Sequence, residues 1–309
     1  VDDYSYHRPV LLNESIDALL LKQGGIYIDL TFGGGGHTKE ILRQLNGKGM
    51  GRVFGFDQDD EAWSNAEQIV DRSFTFVQAN FRHFKKYLKL HGVKQVDGIL
   101  ADLGISSHQI DSAERGFSTR FAGPLDMRMD RQKPLTAAEL LNTSTAEYLH
   151  KIFGLYGEVK NARTLAQAVV SRRVNESFET TENFVQFLKR FAPRGKEFKY
   201  YAQVFQALRI AVNDEMGALE EMLEQCAEVL ALGGRLVIIS YHSLEDRLVK
   251  HYINFGNVKG EPVKDFYGNL IRPFVPVNKK PIEPTQVEIE QNNRARSAKL
   301  RIGERNEHW

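Results

Sequence analysis

The stretch Ile26-Tyr27-Ile28-Asp29-Leu30-Thr31-Phe32-Gly33-Gly34-Gly35-Gly36-His37-Thr38 constrains the fold of this chain more than any other. A β-rich run closes near an acidic residue, four consecutive glycines follow, and a helical pattern begins at Thr38. Consecutive glycines admit positive φ and carry no Cβ, so a ligand can lie directly against main-chain amides. Four of them exceed the needs of a tight turn. A strand that feeds a glycine turn and then a helix belongs to an open α/β sheet, in which ligands bind outside the carboxyl ends of the strands.

The neighbouring sequence repeats this rhythm. Residues 26–31, 53–57, 74–78 and 98–102 read as strands, and 38–45, 61–70 and 84–90 supply apolar residues at helical spacing between them. An earlier helix is expected to start at Asn13, which can cap the run holding Ile16, Leu19 and Leu20. From 111 to about 201 only helical stretches occur: 137–141, 145–153, 162–173 and 181–191. The α/β rhythm returns with one long helix over 203–230, a strand at 235–240 just after Gly233-Gly234, and a helix at 244–254. Residues 255–285 read as a long connection with one edge strand, and 297–302 as the last strand. The expected organisation is a core in two parts, 1–108 and 206–309, around an inserted helical substrate-recognition domain, 109–205.

Whole-chain electrostatics name no partner, because the formal charge is only +1. The charge is mildly segregated: residues 109–205 hold 15 Lys/Arg against 11 Asp/Glu. The single Cys226 sits among apolar residues at helical spacing and reads as a core hydrophobe. Without a Cys pair or a Cys/His metal spacing, no metal is expected, and the setting is read as reducing and cytoplasmic. No apolar run reaches the roughly twenty residues of a membrane helix.

A dinucleotide fold would carry Gly-x-Gly-x-x-Gly at the first turn, but the frame from Gly33 ends on Thr38 and that from Gly34 on Lys39. The turn instead resembles the Asp-x-Gly-x-Gly-x-Gly pattern of class I methyltransferases, through Asp29, Gly33 and Gly35, with Thr31 replacing the first glycine. Asp57 closes the second strand, where a carboxylate can accept from both ribose hydroxyls or can cap the next helix. Phe81, after the third strand, can pack on adenine or join the core. Asp102 ends the fourth strand, with Gly104 just beyond. Four strand ends thus converge on one crevice.

Longer motifs carry a family resemblance. They are Tyr6-His7-Arg8-Pro9-Val10-Leu11-Leu12-Asn13-Glu14, Thr31 to His37, Asp102-Leu103-Gly104-Ile105-Ser106-Ser107, Glu114-Arg115-Gly116-Phe117-Ser118, Pro124-Leu125-Asp126-Met127-Arg128-Met129, Tyr241-His242-Ser243-Leu244-Glu245-Asp246-Arg247, and Arg294-Ala295-Arg296-Ser297-Ala298-Lys299-Leu300-Arg301. In this order, over almost the whole chain, they resemble the MraW family of small-subunit ribosomal RNA methyltransferases. The resemblance implies a class I, Rossmann-like, mostly parallel sheet with an inserted all-helical domain. It implies N4-methylation of a cytidine in the decoding region of 16S rRNA, free or within the small ribosomal subunit, with S-adenosyl-L-methionine as cofactor. Carried over residue by residue, the cofactor contacts are Gly35, Gly36 and His37 at the first turn, then Asp57, Phe81, Asp102 and Gln109; the glycine pattern itself adds Gly33. His37 and Gln109 rest on the resemblance alone. Three positions depart from the common pattern: Gly34, where relatives often carry a longer side chain, Thr38 for Ser, and Tyr241 for Phe.

Methyl transfer from a sulfonium requires mainly an in-line approach of the acceptor nitrogen. Many amino-methyltransferases use Asp/Asn/Ser-Pro-Pro-aromatic at the end of strand four, whereas this chain has Asp102-Leu103-Gly104. Asp102 is therefore expected near the sulfonium and the incoming amine. Tyr241 is expected as a stacking surface for the base, and His242 either as a catalytic group or as the residue that starts a helix. A base in folded RNA must be splayed out to react, which calls for basic groups around the crevice. The candidates are Arg115, Arg120, Arg128 and Arg131; Arg190, Arg194, Lys196 and Lys199, interleaved with Phe198, Tyr200 and Tyr201; and Arg294, Arg296, Lys299 and Arg301. Two rivals remain at this point, a nicotinamide-dependent oxidoreductase and a non-catalytic RNA-binding assembly factor. The sequence also leaves a homodimer open.

Overall fold

The computed structural model describes residues 9–49, 51–307 and 309. Tyr6, His7 and Arg8 of the first motif lie outside them. In chain order the strands are β1 (Ile26–Asp29), β2 (Arg52–Asp57), β3 (Phe74–Gln78), β4 (Val96–Asp102), β5 (Leu230–Ser240), β6 (Phe274–Pro276) and β7 (Lys299–Arg305). The helices are α1 (Leu12–Ala18), α2 (Gly36–Lys48), α3 (Glu61–Glu67), α4 (Phe84–Leu90), α5 (Ser107–Asp111), α6 (Ala137–Thr143), α7 (Ala146–Leu155), α8 (Ala162–Arg173), α9 (Thr181–Leu188), α10 (Glu197–Asn213), α11 (Glu215–Val229), α12 (Ser243–Phe255) and α13 (Gln286–Gln291).

The chain divides into two compact units, one formed by the residues up to Gly104 together with Gly217–Trp309, the other by Ile105–Met216. The first contains a seven-stranded sheet in the order β3-β2-β1-β4-β5-β7-β6. β1 to β5 run parallel, and β7 lies antiparallel between β5 and β6. That antiparallel strand removes further ground from the nicotinamide reading. Strand order reverses between β1 and β4, so their carboxyl ends part and leave a crevice there. Asp29, Asp57 and Asp102 are the last residues of β1, β2 and β4, which puts all three at this end of the sheet.

Strand alternation sends successive side chains to opposite faces. Val53, Leu100, Val237 and Ile239 pack with Ile16 of α1, with Leu19 just after it, and with Ile41, Leu42 and Leu45 of α2. On the other face Phe56 meets Phe84 and Tyr87 of α4, with ring centroids 6.3 and 6.4 Å apart. Burial on both faces is what makes these strands apolar throughout. Cys226 is buried, as expected of a core residue, with its thiol 3.4 Å from the Met222 sulfur. Among the described residues, no helix is long and apolar enough to cross a membrane.

The second unit is helical, held by a core that includes Leu140, Leu149, Phe153, Leu165, Val169, Phe184 and Leu208. Its span is wider than 109–205 because α10 packs within it. Residues 203–230, expected as one helix, form parts of two. The apolar period runs on through Asp214, but that residue takes a left-handed φ of 49°. Just before it, Asn213 accepts from the Met129 amide and donates to the Met127 carbonyl, both at 2.8 Å, and these bonds tie the end of α10 to that segment. Asn13 is likewise not a cap. The helix starts one residue earlier, behind a left-handed Leu11 whose amide donates to Glu288 Oε1 at 2.7 Å.

Candidate functional site

The glycine turn is braced from below and from the side. Buried Asp29 accepts from the Thr38 hydroxyl at 2.7 Å and from the Thr31 amide at 3.1 Å, which joins the end of β1 to the first turn of α2. Gly33 and Gly35 have φ of 50° and 76°, a region closed to most side chains. The Gly33 amide donates to Asp57 Oδ2 at 2.8 Å, and the Asn65 side chain donates to the Gly33 carbonyl at 3.1 Å. A Cβ on Gly35 would stand 2.7 Å from the Phe32 ring, and one on Gly36 2.3 Å from Pro9. A Cβ on Gly34 would have nothing within 4 Å, so this position has room for a side chain.

Thr31, the departure from the glycine pattern, has a use of its own. Its hydroxyl accepts from the Asp102 amide at 2.6 Å and so fixes the end of β4 to the end of β1. No local sequence signal announces this bond, nor that of Asn65. Asp102 in turn accepts the Tyr241 hydroxyl on Oδ1 at 2.7 Å. Asp57 accepts from the Asp59 amide on Oδ1 at 2.9 Å, and each of its oxygens keeps a second lone pair. Phe81 is half-buried and begins a short 3-10 turn capped by Asn80, directly after β3.

Burial pushes Asp29, Asp57 and Asp102 up to about 6 each; repulsion from Asp29 adds to the rise of Asp57 and Asp102, as does Asp59 for the former and Glu245 for the latter. His37, buried in the first turn of α2, is pushed down by burial against the opposing pull of Asp102. Its Nε2–H donates to the Val10 carbonyl at 3.2 Å. The first turn of α2 carries no acidic side chain of its own and its N-cap Gly35 offers no side-chain cap; Asp29, from the end of β1, accepts from Thr38 within that turn. Crowded carboxylates beside an uncapped helix start suit a zwitterionic ligand that brings one more positive centre than an amino acid. S-adenosylmethionine, with its sulfonium, ammonium and carboxylate, fits this donor set.

His242 is the residue that starts α12. Its Nδ1 accepts from the Glu245 amide at 3.4 Å, and its Nε2 lies 3.1 Å from Glu245 Oε1. Glu245 also accepts from the Tyr241 amide at 2.9 Å, so His242 bears on the site through Glu245. Gln109, in the second unit, closes a capping box with Ser106 at the start of α5.

Several basic candidates turn out to be internal. Arg115 is only 2% exposed and donates to the carbonyls of Arg128 and Met129, so it is not available to phosphate. Arg128 grips Asp126 with two hydrogen bonds and also donates to the carbonyls of Arg131 and Lys133. Both arginines satisfy carbonyls of an irregular segment that lacks a ladder of its own. Arg301 is buried in a two-bond pair with Asp246, at 2.7 and 3.1 Å. Tyr200 and Tyr201 are buried, which leaves Phe198, 84% exposed, as the accessible aromatic of its cluster. Arg194, Lys196 and Lys199 around it are exposed, as is Arg296, while Arg294 is half-buried.

Comparison with known proteins agrees with this geometry. The chain is 57% identical to the ribosomal RNA small subunit methyltransferase H of Cytophaga hutchinsonii, over 97% of its own length and 99% of the relative's. Identity is 54% to the enzyme of that name from Amoebophilus asiaticus, over 97% of this chain and 96% of the relative. It is 53% to that of Bacteroides thetaiotaomicron, over 98% and 99%. The sequence profile of the MraW methylase family matches residues 4–306. With a glycine turn, three strand-end carboxylates and a match over nearly its whole length, the chain belongs to the MraW methylase family.

Proposed function

We propose that this chain methylates the exocyclic N4 of a cytidine in the decoding region of 16S rRNA, in the cytoplasm. It is a methyltransferase that uses S-adenosylmethionine, and small-subunit ribosomal RNA is its substrate, in keeping with the names of its relatives. The observation that supports the cofactor site is the set of three buried carboxylates at the ends of β1, β2 and β4 around a glycine turn; the cytidine N4 target follows from the family resemblance. The bound cofactor supplies an electrophilic methyl carbon on a sulfonium. Asp29 and Asp57 hold the turn in shape through the Thr31, Thr38 and Gly33 contacts, and Asp57 retains lone pairs for ribose hydroxyls. The methionine carboxylate is assigned to the amides at the start of α2. Phe81 is assigned to the adenine, and Gln109 stays with the cofactor on family resemblance alone.

Cytosine N4 is a weak nucleophile because its lone pair is delocalised into the ring. In this reading Asp102 accepts a hydrogen bond from N4–H, which orients the amine and raises its nucleophilicity; as the N4–CH3 bond forms, the S–CH3 bond would break to release S-adenosylhomocysteine, and the proton lost from N4 would pass to Asp102. Asp102→Asn, close in shape, is expected to slow methylation by about a hundredfold or more while the protein still binds S-adenosylmethionine. The assay is mass spectrometry of nucleosides from small-subunit rRNA treated with each protein; full turnover by the variant removes Asp102 from the mechanism. A product other than N4-methylcytidine refutes the target atom while leaving the fold and cofactor untouched.

For RNA contact, the exposed cluster Arg194, Lys196 and Lys199 beside Phe198 is assigned to phosphate and base stacking, with Arg296 as a second point. Reversing charge with Arg194→Glu and Lys196→Glu is expected to weaken RNA binding about tenfold or more and to flatten its salt dependence. Cofactor affinity should be unaffected. Filter binding at several salt concentrations measures both, and unaltered RNA affinity dismisses the cluster.

A further inference from the structure

We infer that Tyr241 is a positioning residue for methyl transfer, acting through its hydroxyl on Asp102 rather than through its ring face as a platform for the base. This rests on the reading above, in which Asp102 accepts from the target amine. Three contacts hold the tyrosine in place. Its hydroxyl donates to Asp102 Oδ1 at 2.7 Å, its amide donates to Glu245 Oε2 at 2.9 Å, and its ring lies over Gly104, where a Cβ would stand 3.4 Å from Cδ2. Gly104 has a φ of 105°, so the position demands glycine and the close approach of the ring is built in.

Asp102 is therefore held twice, at its amide by Thr31 and at Oδ1 by Tyr241. One carboxylate oxygen is occupied, and the other is left to meet an incoming N–H. The groups around Asp102 come from four elements. His37 of α2 favours its charge, Asp29 of β1 and Glu245 of α12 oppose it, and the Tyr241 hydroxyl after β5 favours it by hydrogen bonding. Tyr241 itself faces Asp102, Glu245 and Glu288 of α13. Burial and these three carboxylates hold its hydroxyl well above the ordinary tyrosine range, so it remains a donor at neutral pH.

Removing the hydroxyl leaves Asp102 equally buried, equally repelled and short of one donor. Its protonation then moves to higher pH. An acceptor works only when ionised, so the activity lost as pH falls is lost earlier in Tyr241→Phe. If the midpoint rises from about 6 by about one pH unit, the variant is about fivefold slower at pH 6 and close to the parent at pH 8.

The test is single-turnover methylation of small ribosomal subunits from cells lacking this gene, with labelled S-adenosylmethionine between pH 5.5 and 8.5. The parent, Tyr241→Phe and Asp102→Asn are compared. Independently of activity, carboxyl carbon NMR of protein labelled at aspartate follows Asp102 directly, with the signal assigned by its loss in Asp102→Asn. The expected result is an upward displacement of both the acid limb and the NMR midpoint in Tyr241→Phe, with cofactor affinity unchanged. A stacking role predicts no displacement, because phenylalanine keeps the ring, and superimposed profiles overturn the inference. Full activity of Asp102→Asn would instead overturn the underlying reading, whatever Tyr241→Phe does.

Discussion

Gly35→Ala is expected to destabilise the fold by about 2 to 3 kcal/mol and to lower affinity for S-adenosylmethionine at least about tenfold. Two effects combine at this position. A φ of 76° disfavours any L side chain, and the added Cβ would stand 2.7 Å from the ring of Phe32. That ring cannot retreat easily. It is buried between Phe74 and Phe76, with centroids 5.5 and 5.2 Å away, and it also covers Gly55, where a Cβ would approach it to 2.8 Å. The turn must then shift, taking with it the Gly33 amide that anchors Asp57. Gly34→Ala is the control one residue away. With open space around it and no positive φ, it is expected to change stability by no more than about 0.5 kcal/mol. Urea unfolding and calorimetric titration of the cofactor compare the two. Equal behaviour of the variants would mean that the turn is not the rigid cradle described here.

Arg301→Ala should cost about 3 kcal/mol and lower Tm by about 5 °C without weakening RNA binding. Arg301 joins β7 to Asp246 of α12, and its removal leaves that carboxylate 13% exposed without its two strong donors. Lys299 Nζ, 3.9 Å from Asp246, compensates in part, which sets the figure at the lower end for a broken buried pair. The double variant Arg301→Ala, Asp246→Ala should recover part of the loss, because no charge is then stranded. Thermal unfolding of the parent, both single variants (Arg301→Ala and Asp246→Ala) and the double variant checks this. A near-neutral Arg301→Ala would show that the pair is solvated, and weaker RNA binding would return Arg301 to the surface role suggested by its basic surroundings.

The contrast between Gly35 and Arg301 marks where the sequence could be read. The glycine run, the acidic strand ends and the strand-helix alternation are local patterns, set by the φ that a turn demands and by the period of burial within a few residues. They place Asp29, Asp57 and Asp102 at strand ends, as the structure has them. The motifs resembling MraW added His37, which no local rule distinguishes from an ordinary residue at a helix start.

Direction and partnership were not legible in the same way. Arg115 and Arg128 look like any exposed cations in sequence, and only the folded chain shows that unpaired carbonyls of the 115–133 segment draw them inward. The apolar period across residues 203–230 is unbroken, yet Asn213 is tied to main chain more than eighty residues away and the helix ends there. Tyr241 meets Asp102 across 139 residues, and Thr31 meets it across 71. By itself, then, the sequence determined the sheet, the glycine turn and the acidic residues that end β1, β2 and β4. Only the tertiary structure decided which cations face solvent and which hydroxyls hold Asp102, because a hydrogen bond depends on where distant backbone and side-chain groups meet, and that is fixed by packing rather than by neighbours in the chain.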